Sequence, residues 1–499
     1  MDFWHNIYLG FSVLAEPMNL LFSFIGVVLG TLIGVLPGLG PAATISLLLP
    51  LTFKLSPVTS IIMIAGIYYG AKYGGSTTSI LLNIPGEADS VATCLDGYQM
   101  ARQGRAGPAL GISAFGSFIA GTVATLGLML VAPPLAQFAL RFGPPEIFAL
   151  MMVALTLVTY LAMGSQVKAL AMVSLGIFLG TIGEDPFTGV SRFVYGSSLL
   201  GGVGIVPVIM GLFGIAEVLV NLETGLKVEL FQKRVSNLLP TLKDWKDSLG
   251  PIIRGTFIGF FVGLLPGGGG IASTFASYSI EKRISKHPEQ FGKGAIAGVA
   301  GPESANNATS TANFIPLMTL GIPTNSIMAI ILASLLIAGL QPGPLLIQKN
   351  PQFFWGVIAS MYVGNVMLVI LNLPLIGLWV RFLATPYSLL FPVILFFCLF
   401  GAYTLDNNPF DMWIAIFFGF LGFIMRKFEY EPAPLVMGFV LSGLIEGSFI
   451  RSLLESQGSF LIFFTRPISV TLMVLAVFLL FYPLVQKRAL FKGRFGVDE

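Results

Sequence analysis

The chain has 499 residues, 55% of them hydrophobic and 10% charged, with a mean hydropathy of +0.86. Soluble domains carry about 25% charged residues, and 27 basic with 24 acidic side chains cannot coat a soluble core of this size, so most of the surface must face lipid. The net charge of +3 arises from short basic clusters between apolar runs and argues against a nucleic-acid partner, while two cysteines (Cys94, Cys398) and two histidines (His5, His287) argue against a disulfide framework or a zinc site.

Residues 1–20 read as an N-terminal interfacial segment; they contain Asp2, His5, Asn6 and Glu16 and lack a basic stretch followed by an apolar one, so no cleavable signal is expected. A hairpin over 21–53 turns at Leu36-Pro37-Gly38-Leu39-Gly40. A broken crossing over 57–95 follows, interrupted at Gly74-Gly75-Ser76-Thr77-Thr78 and ending at Ile84-Pro85-Gly86. Spanning segments are then expected at 108–132, 144–163, 167–183 and 201–222. The linker 226–254 carries Lys227, Lys233, Arg234, Lys243, Lys246 and Arg254 and is assigned to the cytoplasm, because cytoplasmic loops are enriched in Lys and Arg.

A second hairpin, 255–280, turns at Leu265-Pro266 through Gly270 and is followed by a further basic cluster, Lys282, Arg283, Lys286 and Lys293. Arms of about 12 to 14 residues rise about 20 Å, short of a hydrocarbon core of about 30 Å, so the chain is expected to re-enter and leave on the same side. A broken crossing over 294–340 is interrupted at Asn306-Asn307-Ala308-Thr309-Ser310-Thr311 and closes at Gly321-Ile322-Pro323. Segments 353–380, 387–404, 410–424 and 433–447 complete the second half, and residues 451–499 add a last helix, 467–485, with a basic cytoplasmic tail.

The halves share a pattern. Gly26, Gly30, Gly34, Pro37, Gly38 and Gly40 recur as Gly255, Gly259, Gly263, Pro266, Gly267 and Gly269 at a constant offset of 229 (255 − 26). Asn83-Ile84-Pro85-Gly86 pairs with Gly321-Ile322-Pro323-Thr324, and Gly107-Pro108 with Gly343-Pro344. The expected fold is therefore an all-α polytopic membrane protein of about 11 spanning segments, with repeat 1 at 21–225 and repeat 2 at 255–450. No Lys or Arg precedes the first hairpin, which should enter from the periplasm, so the repeats are expected in inverted topology.

Inverted repeats with interrupted helices are the plan of secondary transporters, in which broken backbone and half-helix ends meet a substrate and a coupling ion near the midplane. Hydroxyls and amides of Ser76, Thr77, Asn306, Asn307 and Thr309, with backbone at Pro37, Gly38, Gly40, Gly75, Pro266, Gly267 and Gly268, are candidate anion ligands. Lys72, Glu87, Asp89 and Glu303 are the ionisable groups nearest the breaks: Lys72 is a cation for a substrate carboxylate, part of a structural ion pair or a loop position, and Glu303 is either a cap or a proton site. Carbonyls around Gly38–Gly40 and Gly267–Gly269, helped by Asn83 or Asn307, are candidate ligands for a coupling sodium ion, the alternative coupling cation being a proton. The glycine rows also fit simple close helix packing, and the hydroxyls also fit backward bonds to helix carbonyls.

No Gly-x-Ser-x-Gly elbow, His-Glu-x-x-His or phosphate loop is present, so neither an enzyme nor an ATP-driven pump is expected, and no cofactor beyond the coupling cation. A re-entrant-loop channel or facilitative pore for small anions is the alternative class; it would conduct without saturation or a second gradient.

Three ordered motifs carry a resemblance: Gly30–Gly40 (GTLIGVLPGLG), Gly74–Gly86 (GGSTTSILLNIPG) and Gly301–Ala308 (GPESANNA). With them the chain resembles the large transmembrane subunit of the tripartite tricarboxylate transporter family over nearly its whole length. The resemblance implies a translocation subunit of the bacterial inner membrane, working with a small four-helix membrane subunit and a periplasmic solute-binding protein. It further implies import of citrate or other carboxylates driven by sodium or protons, an elevator-like movement of the hairpin-bearing core, and substrate choice residing largely in the binding protein. Thr324 stands where glycine is expected in that family.

Overall fold

The computed structural model describes residues 3–36, 40–52, 54–161, 165–196, 199–224, 237–267, 269–382 and 387–494. Helices α1 (Phe3–Leu14), α2 (Pro17–Val35) and α3 (Pro41–Thr52) lead into α4 (Pro57–Leu82) and, through a 3-10 turn at Ala88–Ser90, into α5 (Val91–Arg102). Then come α6 (Ala106–Ala139), α7 (Pro144–Leu161), α8 (Gln166–Gly180), a ribbon pairing Gly183–Glu184 with Ser191–Arg192, and α9 (Ile205–Ile209), which passes through a π turn into α10 (Ala216–Thr224). The second half runs through α11 (Leu242–Gly263), α12 (Gly270–Ile284), α13 (Ala297–Ala312), α14 (Phe314–Leu320), α15 (Ser326–Ile337) and α16 (Leu346–Lys349). It ends with α17 (Pro351–Asn372), α18 (Ile376–Phe382), α19 (Tyr387–Asp406), α20 (Pro409–Lys427), α21 (Pro432–Glu455), α22 (Ile462–Thr465) and α23 (Pro467–Arg494).

The chain is an all-helical polytopic membrane protein. Among the described residues, 6 helical stretches are long and apolar enough to cross a bilayer: Pro17–Val35, Ala106–Ala139, Ile205–Glu223, Pro351–Asn372, Pro409–Lys427 and Pro432–Glu455. Shorter apolar helices, such as Pro41–Thr52 and Ser326–Ile337, accompany them. The first arm of each expected hairpin is longer than the sequence reading allowed, at 19 residues in α2 and 22 in α11. Pro17 opens α2 at a position where its missing N–H costs nothing, and Thr241 caps α11 in a reciprocal box with Asp244, so both helices start well before their glycine rows. At about 1.5 Å per residue α2 spans about 28 Å, close to the hydrocarbon thickness.

Two stretches expected to be broken are helical. Gly74–Thr78 lies inside α4, and Asn306–Thr311 lies inside α13. Their hydroxyls bond backward to carbonyls three or four residues earlier: Ser76 to Lys72, Thr78 and Ser79 to Gly75, Thr309 to Ala305, Ser310 to Asn306 and Thr311 to Asn307. Such bonds satisfy the side chain without unwinding the helix. The interruptions come later, at Asn83 (φ 58°), which ends α4, and at Gly321 (φ 71°), which ends α14.

The contacts define two compact units, residues 1–136 with 204–425, and residues 137–203 with 426–499. In the smaller unit α8 and α21 meet backbone to backbone, Gly176 against the Leu435 carbonyl and Gly438 against that of Val173. Arg466 there bonds Glu146 (3.3 Å) and Glu455 (2.6 Å).

The larger unit is built around two helices with almost no exposed face. Every residue of α4 from Thr59 to Leu81 is buried, as is every residue of α13 from Gly298 to Ala312, polar side chains included. Glycines set the spacing. A Cβ at Gly26, Gly30 or Gly34 of α2 would collide with the carbonyl of Met63, Ile67 or Ala71 of α4, and one at Gly70 or Gly74 would strike Val27–Thr31 or Thr31–Val35 in return. In the second half Gly255 and Gly259 of α11 meet the carbonyls of Gly301 and Ala305 of α13 in the same fashion, with Gly263 against Thr309. The close-packing reading of the glycine rows therefore holds at these positions, since small residues at four-residue spacing let backbones approach within van der Waals distance.

Candidate functional site

Because α4 and α13 are buried on all sides, each polar group they carry needs a partner inside the protein, and the partners come from both halves of the chain. Lys72, near the middle of α4 and 1% exposed, places Nζ 2.6 Å from Glu87 Oε2, bonds the Asp89 carboxylate and lies 5.3 Å from the centre of the Tyr68 ring. Glu87 and Asp89 reach it because the chain turns back at Asn83 and runs against Gly75, where an added Cβ would lie 2.9 Å from Glu87 Cγ. Glu87 Oε1 in turn accepts a hydrogen bond from Asn306 Nδ2 of α13 (2.7 Å). Asn306 Oδ1 is buried with no donor among the described residues.

One turn away on α13, Glu303 is 0% exposed and takes three hydroxyl donors from three helices: Ser76 of α4 (2.5 Å), Thr93 of α5, and Ser113 of α6 (3.1 Å). Asn307 Nδ2 donates to Ser117 Oγ of α6 (2.7 Å) and to the Glu303 carbonyl oxygen (3.2 Å). Tyr73 donates to Asn365 of α17 (2.8 Å), and Asn365 donates to the Phe118 carbonyl (2.8 Å) and Thr122 (3.0 Å) of α6. A second buried carboxylate, Asp96 of α5, accepts from the amides of Gly292, Gly294 and Ala295 (2.7–2.9 Å) and from Tyr278 (2.9 Å), clamping the segment that leads into α13.

The structure thus gathers Lys72, Gly75, Ser76, Thr77, Asn306 and Asn307 into one buried region, with Lys72 held in an ion pair with Glu87 and Asp89. Thr77 lines a small cavity with Ser76, Ser113 and Asn372. Thr309 faces elsewhere: its hydroxyl meets the Gly259 carbonyl (3.0 Å) and Ser273 (2.8 Å), tying α13 to α11 and α12. Gly267 (φ 76°) follows the half-buried Pro266 at the second tip and donates to the Thr324 carbonyl (2.7 Å), so the tip touches the second interruption. The carbonyls considered for an ion are engaged by neighbours: that of Gly40 accepts from Thr44, that of Gly267 from Gly269, and that of Gly269 from Ala272. Asn83 is exposed and serves as the left-handed cap of α4. Pro37, Gly38 and Gly268 lie outside the described residues.

Sequence reasoning missed Thr93, Ser113, Ser117, Asp96, Tyr73 and Asn365. Ser113 and Ser117 do stand four apart in an otherwise apolar helix, which puts both on one face, and that spacing was the available signal.

Both halves of the chain thus contribute buried hydroxyls, amides and paired charges to the interior of a polytopic membrane protein. The profile of the Tripartite tricarboxylate transporter TctA family matches residues 20–437, and the chain belongs to that family, the large subunit of tripartite tricarboxylate transporters. A protein of Agrobacterium vitis described as "Uncharacterized 52.8 kDa protein in TAR-I ttuC' 3'region" is 52% identical over 478 residues, 96% of this chain and 95% of its own length. A second from the same organism, "Uncharacterized protein in TAR-II ttuC' 3'region", is 51% identical over 219 residues, 44% of this chain and 90% of its own. No solved structure matches the chain.

Proposed function

We propose that the chain is the translocation subunit of a cation-coupled, binding-protein-dependent importer of tricarboxylates such as citrate, or of related carboxylates. The observation that carries this reading is the meeting of the two halves at α4 and α13, where Asn306 bonds Glu87 and keeps its own carbonyl oxygen unpartnered among the described residues. An unpaired buried acceptor costs about 1–3 kcal/mol, and persists where a ligand or moving element completes it. Thr77, with the backbone N–H groups of the tips at Pro37–Gly40 and Pro266–Gly269, would hold the anion through neutral donors, while the Asn306 carbonyl oxygen, an acceptor, suits a water or the coupling cation. Lys72 serves by holding Glu87 and Asp89 in place, because its charge is already matched.

The matching packing of α2 on α4 and of α11 on α13 supports an internal repeat, the basic clusters of the sequence support its inversion, and inverted repeats support alternating access by an elevator-like shift of the hairpin-bearing core. The partners are a small four-helix membrane subunit and a periplasmic solute-binding protein, the membrane is the bacterial inner membrane, and the basic C-terminal tail is cytoplasmic. The test is uptake of labelled citrate and dicarboxylates into proteoliposomes holding the chain, its small subunit and the cognate binding protein, under imposed sodium or proton gradients. Saturable uptake that collapses with one gradient supports the carrier; conductance independent of both gradients overturns it in favour of a pore.

A further inference from the structure

We infer that Glu303 is the proton-carrying group of this transporter, loaded through the small cavity beside Ser76 and Ser113. The inference rests on the carrier reading above and adds to it the identity of the coupled cation and of its site.

The charge count comes first. Lys72 is the cation facing this region from α4, and it is bonded to Glu87 and Asp89 of the segment that follows α4, so two carboxylates already share one ammonium. Glu303 adds a third carboxylate, fully buried, whose partners are all neutral hydroxyls. The remaining titratable groups around it do not offset that charge. Tyr73 of α4 gives its proton to Asn365, Cys94 of α5 is a thiol, and Asp96 of α5 is held by backbone amides. Arg254 of α11 is paired with Glu281 of α12 (2.6 Å), Tyr278 of α12 bonds Asp96, and α6 contributes Ser113 without a charge. A buried carboxylate without a cation is the arrangement that most readily takes up a proton.

The hydrogen bonds accept either state. With Glu303 ionised, Ser76, Thr93 and Ser113 all donate to it. With Glu303 protonated, its new O–H points at Ser76 Oγ, and the Ser76 hydrogen turns to the Lys72 carbonyl oxygen, which already lies 3.1 Å away. The transfer moves one proton from water to one carboxylate oxygen, reverses one hydroxyl and leaves no donor or acceptor orphaned.

A water-sized space lies beside the carboxylate. Ser76 and Ser113, two of the three donors, line a cavity of about 10 Å³ that also touches Thr77 and Asn372. Asn372 Oδ1 is buried there with no donor among the described residues. That volume and that polar lining suit one water molecule, which would donate to Asn372 and bridge to either serine.

Infrared difference spectroscopy of the lipid-reconstituted protein across a pH titration tests the proton itself. The carbonyl stretch of a protonated carboxylic acid should appear as pH falls, vanish in Glu303→Gln and persist in Glu87→Gln; a band unaffected by Glu303→Gln overturns the inference. Transport then tests coupling, with labelled citrate and succinate in the complete proteoliposome system. In the unmodified protein one coupled proton and a gradient of about one pH unit should accumulate substrate about tenfold. Glu303→Gln should lose that accumulation while substrate counterflow between equal pH values continues at a measurable rate. Accumulation driven by sodium alone, or proton-driven accumulation surviving in Glu303→Gln, overturns the inference and leaves the carrier standing; absence of saturable uptake and counterflow in the unmodified protein overturns the carrier. If Glu303→Gln fails to insert, Ser113→Ala decides. Losing one donor to the carboxylate should move the pH profile of uptake upward by about one unit, and an unshifted profile counts against Glu303.

Discussion

Asn306 and Glu87 stand 219 positions apart in sequence and meet side chain to side chain at 2.7 Å, joining α13 to the turn that follows α4. Through Glu87 the bond reaches Lys72, so an amide from one half of the chain helps orient an ion pair in the other. Replacing Asn306 by Asp puts a fourth carboxylate beside Glu87 and removes its donor. The expected loss is about 2–4 kcal/mol, combining an unpaired buried charge with a lost charge-assisted bond. Thermal unfolding in detergent measures it, and an unchanged midpoint would sink the claim that this bond joins the halves.

Lys72→Met should cost about 3–5 kcal/mol, because it leaves the buried Glu87 carboxylate beside the part-buried Asp89 with no cation between them. Adding Glu87→Gln to Lys72→Met should recover about 1–3 kcal/mol of that loss, since the second change removes the stranded charge. Strictly additive losses in the same unfolding assay would mean that the pair is not coupled.

The glycines fall into two groups with opposite expectations. Gly30→Ala drives a Cβ into the Ile67 carbonyl, and overpacking of this kind costs about 1–3 kcal/mol, visible as reduced folded yield and a lower unfolding midpoint. At Gly40 and Gly269 an added Cβ meets nothing within 4 Å, so Gly40→Ala and Gly269→Ala should fold normally. If the proposed carboxylate uptake holds, its loss in those two variants reports on the tips themselves, and a drop in stability there would contradict the open space around them.

Asp96→Ala withdraws the acceptor from three backbone amides at once. Hydrogen exchange at Gly292, Gly294 and Ala295 should accelerate by about tenfold or more, each unpaired amide being worth about 1 kcal/mol or above. Unaltered protection would show that the clamp is held by something other than this carboxylate.

How far the sequence was readable varies by kind of interaction. The repeated glycine spacing of Gly26–Gly34 and Gly255–Gly263 announced close helix packing, because only local spacing decides which residues share a face. The interruptions were misplaced, because Ser76 or Ser310 bonding backward inside a helix and the same residue lining a broken one look alike in sequence. Lys72 was legible as a charge needing an answer, and both carboxylates that answer it stand within 17 positions. Glu303 was visible only as an isolated acid, since its partners Ser76, Thr93 and Ser113 lie 190 to 227 positions away. The Asp96 clamp could not be read at all, because its main partners are backbone amides, which no residue type marks.

The contact of α2 with α4 has a mechanical meaning. Where side chains separate two helices, each rotamer is a soft spring that lets one helix slide or tilt against the other. Between Gly30 and Ile67 there is no such spring, since main chain rests on main chain. A displacement of α2 is therefore passed to α4, and so to Lys72, without being absorbed on the way, and the two helices behave as a single strut. Any shift of α2 carries the buried ion pair with it.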